Sequence, residues 1–466
     1  MQVFFNIRYY QISDSLIVYL IHKKPELTVK RATMDNGNLK RELSLLDVFV
    51  MTTAAMISAE LFVLPGLAYA RAGPAAIFAF LLAGVIALPA MLSAAELVSA
   101  MPKAGGIYFF TSRSMGYATG TIAGFSRWLS ISLKSAFALI GIGAYTAMFT
   151  GIPITYIAAA CCLLFILVNL IGIKLVGRVQ TLLLLISGSI FIIYILYGIT
   201  AIHPERYSPL MPNGPESLLS TAGFLFISYG ALLMVTSLAE EVKKPEKNIP
   251  LGMFLSLLVV AILYSLVVYV TVGIMEPADL ANSMTPLSDG ARILFGSLGV
   301  TLIVIAAIDE AISTANSGLS SASRYPLAMS RDGLLPRFLQ RIDPRSCVPK
   351  ASVLATGAFM LAVVLFVRLE LLVEVASTLL MISYILTNLA VILMRENKKA
   401  GYAPHFRSPM YPWTQILGIL GLTALILSMG AAAILLSGSF ITASLLWYRL
   451  YAAKRLNPSA TDPADC

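Results

Sequence analysis

Apolar positions in this chain come in long runs with no period-2 alternation, separated by short polar segments. About 20 consecutive apolar residues cross the roughly 30 Å hydrocarbon core of a bilayer. Twelve runs meet that need, near 47–70, 75–99, 118–149, 154–172, 179–201, 218–238, 251–275, 291–320, 352–368, 371–394, 414–432 and 435–452. Inside lipid every backbone N–H and C=O must be satisfied within the protein, which leaves helices or closed barrels. Missing alternation selects helices. The pattern therefore predicts an all-α integral membrane protein of twelve transmembrane helices. Spans three and eight are longer than a crossing needs, so they are expected to tilt or project. The separation of the two short final spans is placed near Ser437.

Two runs are chemically unusual. Span one reads TTAAMISAELFVLPGLAYA, with Glu60 in its middle and Pro65–Gly66 a turn later. Span six reads AGFLFISYGALLMVTSLAEE, with Ser228, Tyr229 and Gly230 near its centre. Five spans separate one start from the other. Interrupted helices at matching places in two halves point to a secondary-transporter site. A broken helix frees N–H groups at one half and C=O groups at the other. The first can hold a carboxylate and the second an amine or cation. Gly and Pro are also simply common in membrane helices, which keeps a purely structural reading open.

Ionisable groups at membrane depth cost several kcal/mol and mark functional positions. They are Glu60, Arg127, Lys134, Asp309 and Glu310. Arg127 and Lys134 lie seven apart and share a helix face. Asp309, Ser313 and Asn316 form a stripe, with Glu310 and Thr314 beside it. A carboxylate with hydroxyls suits a hard cation, and a desolvated carboxylate suits a proton. The competing readings are a structural pair such as Glu60 with Lys134 and a water-filled vestibule beside Asp309 and Glu310. Glu96, near the end of span two, is expected to anchor a loop. Glu240 and Glu241 are expected at the interface, holding a short basic loop.

Composition agrees. Of 466 residues, 58% are hydrophobic and only 12% charged, too little polar surface for a soluble protein of this size. The net charge of +9 sits in loops and reports topology rather than nucleic-acid binding. With the amino terminus in the cytoplasm, 27 of the 33 Lys and Arg fall on the cytoplasmic side and 4 outside. Both termini are then cytoplasmic, in a plasma or inner membrane. The expected layout is a tail over 1–45, a transporter domain over 46–452 and a second tail over 453–466, with Met34 an alternative start. Four cysteines suggest neither a disulfide framework nor a metal site. With no HExxH, paired CxxC or Walker motif, no cofactor or ATP site is expected.

Four stretches carry a resemblance. They are MISAELFVLPG (Met56 to Gly66), AELVSAMPKAGGIYF (Ala95 to Phe109), SLAEEVKKPEKNIPLG (Ser237 to Gly252) and SASRYPLAMSRDGLLP (Ser321 to Pro336). FRSPMYPW (Phe406 to Trp413) adds a fifth. Over residues 45–452 the chain resembles the amino acid–polyamine–organocation superfamily of permeases. The resemblance implies the leucine-transporter-like five-plus-five inverted repeat with two additional C-terminal helices. It implies alternating access, spans one, two, six and seven moving against three, four, eight and nine. Carried over, Ile57, Ser58 and Ala59 offer backbone to a substrate carboxylate. Phe226, Ser228, Tyr229 and Gly230 line the amine and side-chain end, with Phe226 or Tyr229 as an aromatic gate. Ser313 and Thr314 sit where sodium-coupled relatives place hydroxyl ligands.

Two departures stand out. The family's span-one break carries glycines where this chain has Ala54 and Glu60. A carboxylate there repels a substrate carboxylate unless Lys134 neutralises it, it holds a proton, or the substrate is cationic. Span five also lacks the mid-span lysine that replaces sodium in some proton-coupled relatives. The leading expectation is an amino acid carrier, driven by H+ or Na+ or working by exchange. The alternatives are a polyamine or cationic amine carrier and a nutrient sensor; an enzyme is not expected.

Overall fold

A computed structural model describes residues 43–101, 106–171, 177–343, 346, 348–397, 402–453 and 455–456. The amino-terminal tail with Met34, as well as Lys103, Lys174, Cys347 and Cys466, lies outside the described residues.

The chain is helical. In order, the α-helices are α1 (Leu45–Met56), α2 (Glu60–Ala72), α3 (Ala76–Ala100), α4 (Gly106–Met115), α5 (Tyr117–Thr150), α6 (Ile154–Ile171), α7 (Gly177–Gly198) and α8 (Glu216–Phe224). They continue as α9 (Pro245–Ile274), α10 (Pro277–Asn282), α11 (Pro286–Ala322), α12 (Arg324–Arg331), α13 (Lys350–Phe366), α14 (Leu369–Glu396), α15 (Trp413–Ser428) and α16 (Ala431–Trp447). Among the described residues seven helical stretches are long and apolar enough to cross a membrane, and four more apolar helices are shorter. The protein is a multi-pass helical membrane protein.

Local chemistry sets the helix ends. Ser44 caps α1 in a reciprocal box, its hydroxyl accepting from Asp47 N while Asp47 accepts from Ser44 N at 2.8 Å. α5 stops where Gly151 turns left-handed. The expected long spans three and eight are α5 and α11, of 34 and 37 residues, α11 being kinked at Gly296. The separation of the last two spans falls at Met429–Gly430, not near Ser437. Gly430 adopts φ 97°, which a residue with a side chain resists, whereas Ser437 lies inside α16.

The centre is built by α5 against α11 and α14, and by α3 against α9, α14 and α15. Glu96 anchors a loop as expected. Its buried carboxylate takes two hydrogen bonds from Arg395 (2.7 and 2.6 Å), two from Ser408 and one from the Tyr402 hydroxyl. That closes α3 and α14 onto the segment leading into α15. Two segments expected as loops are helices, α4 and α12. They meet through a hydrogen bond from the Tyr108 hydroxyl to Asp332, over a cluster of Met329, Leu334, Leu335 and Leu339. Burial raises the Asp332 carboxyl above its ordinary range, against the pull of that hydroxyl. Ahead of α1, Leu43 forms a single parallel bridge with Val242. Leu43 N donates to Glu241 O at 2.9 Å, and Lys243 N to Leu43 O at 2.7 Å.

Candidate functional site at two helix breaks

Span one is interrupted at Ile57–Ala59. Ile57 is extended (φ −69°, ψ 108°), ending α1, and α2 begins at Glu60. Pro65 does not interrupt; it lies inside α2. Gly66 lets α2 approach the turn after α10, since a Cβ there would lie 2.3 Å from Ser283 O. Span six ends its α-helix at Phe224, tightens to 3₁₀ over Leu225–Tyr229, turns, and resumes as 3₁₀ over Met234–Glu241. Both breaks are where the sequence places them.

The freed backbone groups are taken by side chains from other spans. Tyr264 donates to Met56 O (2.6 Å), the last residue of α1. Tyr384 donates to Tyr229 O (2.8 Å). Ser377 spans the second break, donating to Phe224 O (2.8 Å) and accepting from Ile227 N (3.0 Å). Tyr145 also donates to Phe62 O (2.8 Å), a carbonyl in the first turn of α2 that the break itself does not free. None of these four follows from span periodicity. Each partner is more than 80 residues away in the chain; the only sequence signal is a hydroxyl in an apolar run.

Between the breaks lies an ion pair. Lys134 Nζ is 3.3 Å from Glu60 Oε1, with the Glu60 side chain 0% exposed and that of Lys134 12%. The structure thus sets Lys134 beside the Glu60 carboxylate, without a hydrogen bond between Nζ and Oε1. The Ser58 hydroxyl donates to the other carboxylate oxygen, and the backbone N–H of Glu60 also donates to its own carboxylate. Arg127, one helix face down from Lys134, donates from Nη1 to Gly230 O at 3.4 Å. A Cβ on Gly230 would lie 3.9 Å from Lys134 Cδ. Ser58, Glu60, Lys134 and Gly230 are thus brought together.

The remaining candidates are placed as follows. Ile57, Ala59, Phe226, Ser228 and Tyr229 are all buried. Phe226 meets Tyr384 edge-on at 5.4 Å, and the Tyr229 hydroxyl donates to Phe80 O at 2.7 Å. Ser228 Oγ has no hydrogen-bond partner among the described residues. On α11, Asp309 is half-buried and Glu310 buried, and neither forms an ion pair among the described residues. Tyr264 is within electrostatic reach of both Glu60 and Glu310. Ser313 and Thr314 are half-buried, and the Ser317 hydroxyl donates to Ser313 O at 2.6 Å. Asn316 Oδ1 accepts from Asn169 on α6 at 2.8 Å.

Two broken spans meeting over a buried ion pair, in a multi-pass helical protein, define a membrane carrier rather than an enzyme. The chain belongs to the amino acid permease family, whose model matches residues 47–448. It is 28% identical to a branched-chain amino acid permease of Bacillus subtilis, over 93% of this chain and 98% of that protein. The methylthioribose transporter of the same organism is also 28% identical, over 85% and 90%. Its serine/threonine exchanger is 27% identical, over 84% and 91%.

Proposed function

We propose that this protein carries zwitterionic amino acids across a cell membrane by alternating access around the breaks at Ile57–Ala59 and Leu225–Tyr229. The observation that carries the reading is the Glu60–Lys134 pair. It offsets the charge of Glu60, one of three membrane-depth carboxylates that favour a polyamine or cationic amine, the other two being Asp309 and Glu310 on α11. Relatives named for branched-chain amino acids and for serine and threonine fit the same reading.

The finer architecture belongs to this proposal: twelve spans in a five-plus-five inverted repeat plus two helices, with both termini cytoplasmic. The order of the elements supports it, since the two interrupted spans open corresponding halves of the chain. The layout of tails around a 46–452 transporter domain goes with it. Phe226, Ser228, Tyr229 and Gly230 line the substrate end in this proposal, and Ile57, Ser58 and Ala59 face them.

Thermal stabilisation of the purified carrier tests the substrate class, because a ligand raises the unfolding midpoint only if it prefers the folded state. The screen covers the common amino acids and several polyamines, with and without sodium, at acid and neutral pH. Stabilisation by a zwitterionic amino acid is expected; a response confined to diamines would refute the reading. For the coupling ion, Asp309, Glu310, Ser313 and Thr314 on α11 are the proposed group. Ser313→Ala with Thr314→Ala is expected to weaken any sodium stimulation of uptake. Equal stimulation in the double variant removes those hydroxyls from the ion site.

A further inference from the structure

Two cations stand on α5 near the second break, Arg127 buried and Lys134 half-buried. Arg127 and Lys134 leave one face of α5, and Lys134 is matched by Glu60. Arg127 has no such match. It is 2% exposed and forms no ion pair among the described residues. Its Nη1 reaches a carbonyl at 3.4 Å, long for a hydrogen bond, and its Nε has no partner. Removing a guanidinium from water without a counter-charge costs several kcal/mol, so a buried, under-bonded arginine implies an anion that is present for part of the cycle.

The other place for an anion is already filled. The N-terminus of a half-helix attracts carboxylates, and α2 begins beside the break with Ala59 at its cap, whose methyl group cannot accept a hydrogen bond. Glu60 folds its own carboxylate onto that end, held by its own N–H and by Ser58. Leu61 N and Phe62 N are taken by Ser58 O (3.1 Å) and Ala59 O (3.2 Å). A second carboxylate would find its donors spent and a negative charge in its way.

We propose that Arg127 binds the substrate's carboxylate, Glu60 having taken over the α2 N-terminus from it. The inference rests on the amino acid reading above. It assigns a binding residue on α5, a helix that neither break belongs to. A guanidinium presents paired N–H donors that match both oxygens of a carboxylate. Gly230, to which Arg127 is bonded, is half-exposed and has no side chain to block the approach. Ser228 Oγ, buried and without a hydrogen-bond partner among the described residues, adds a polar group in the same break.

The test compares an amino acid with its own carboxamide, which keeps the amine and side chain but loses the negative charge. Binding of both is measured by calorimetry on purified wild type, Arg127→Gln and Arg127→Lys, each checked for a monodisperse size-exclusion profile. The amino acid used is whichever stabilises the wild type most. Wild type is expected to prefer the acid by about tenfold or more. Arg127→Gln should weaken acid binding to the carboxamide's level while leaving the carboxamide nearly unchanged, and Arg127→Lys should restore part of the preference. A folded Arg127→Gln that keeps the full preference overturns the assignment. Should Arg127→Gln fail to fold, Arg127→Lys decides: a preference reduced severalfold supports it, and an unchanged one overturns it. If no amino acid binds wild type, the amino acid reading itself falls and takes this inference with it.

Discussion

Lys134→Met should lower the stability of the folded carrier by about 3–5 kcal/mol, the usual cost of removing one partner of a buried ion pair. Among the described residues the lysine is the only cation paired with Glu60, and the carboxylate it would abandon is 0% exposed. Ser58 and the Glu60 N–H would remain, but neither carries a positive charge. Adding Glu60→Gln to the same chain should recover most of the loss, because an amide needs no counter-charge. Unfolding midpoints of wild type, both single variants and the double variant give the coupling between the two side chains directly. Additive losses would mean that the 3.3 Å approach contributes nothing, and Lys134 would then have to be explained by packing of its stem alone.

Gly230→Leu should abolish uptake, a loss of about 100-fold or more, of the size that misplacing a binding site by an ångström can produce. A Cβ at this position would lie 2.9 Å from Ile227 O and 3.3 Å from Leu380 Cδ2. The first contact is to backbone of the same turn, which accepts from Gly230 N, so it yields only if the break itself shifts. The rest of a leucine would have to compete for space near the Lys134 stem. Uptake into proteoliposomes, normalised to incorporated protein, measures the effect. A variant that transports at the wild-type rate would remove Gly230 from the site and place the substrate elsewhere.

Much of this fold is legible in the order of the residues because lipid is an undemanding solvent to read against. An apolar run of sufficient length without period-2 alternation has one available structure, the helix. Span three was expected over 118–149 and α5 covers Tyr117–Thr150. The breaks were legible for a related reason, since Glu60 and the Ser228–Gly230 stretch are conspicuous in apolar surroundings. The pairing of Glu60 with Lys134 was one of three alternatives, and only distance separates them. What could not be read is how each break is satisfied. Tyr264, Tyr384 and Ser377 look like ordinary polar positions in their own spans; their role exists only once a carbonyl from another helix is set 2.6–2.8 Å away. Helices α4 and α12 were hidden because they lie beside the spans, and a short amphipathic helix has a weaker signal than a crossing. The division at Gly430 was missed because a single glycine in an apolar stretch does not announce its φ.

The Leu43–Val242 bridge gives the two interrupted spans a common mechanical part. It joins the segment entering span one to the segment leaving span six, and does so entirely through main-chain atoms. Like a tie rod, it makes a displacement of either segment into a displacement of both. No side chain carries the tie, although Leu43 and Val242 are themselves buried in the apolar core. Proline at 43 or 243 would cut it, since proline alone lacks the N–H that each hydrogen bond requires.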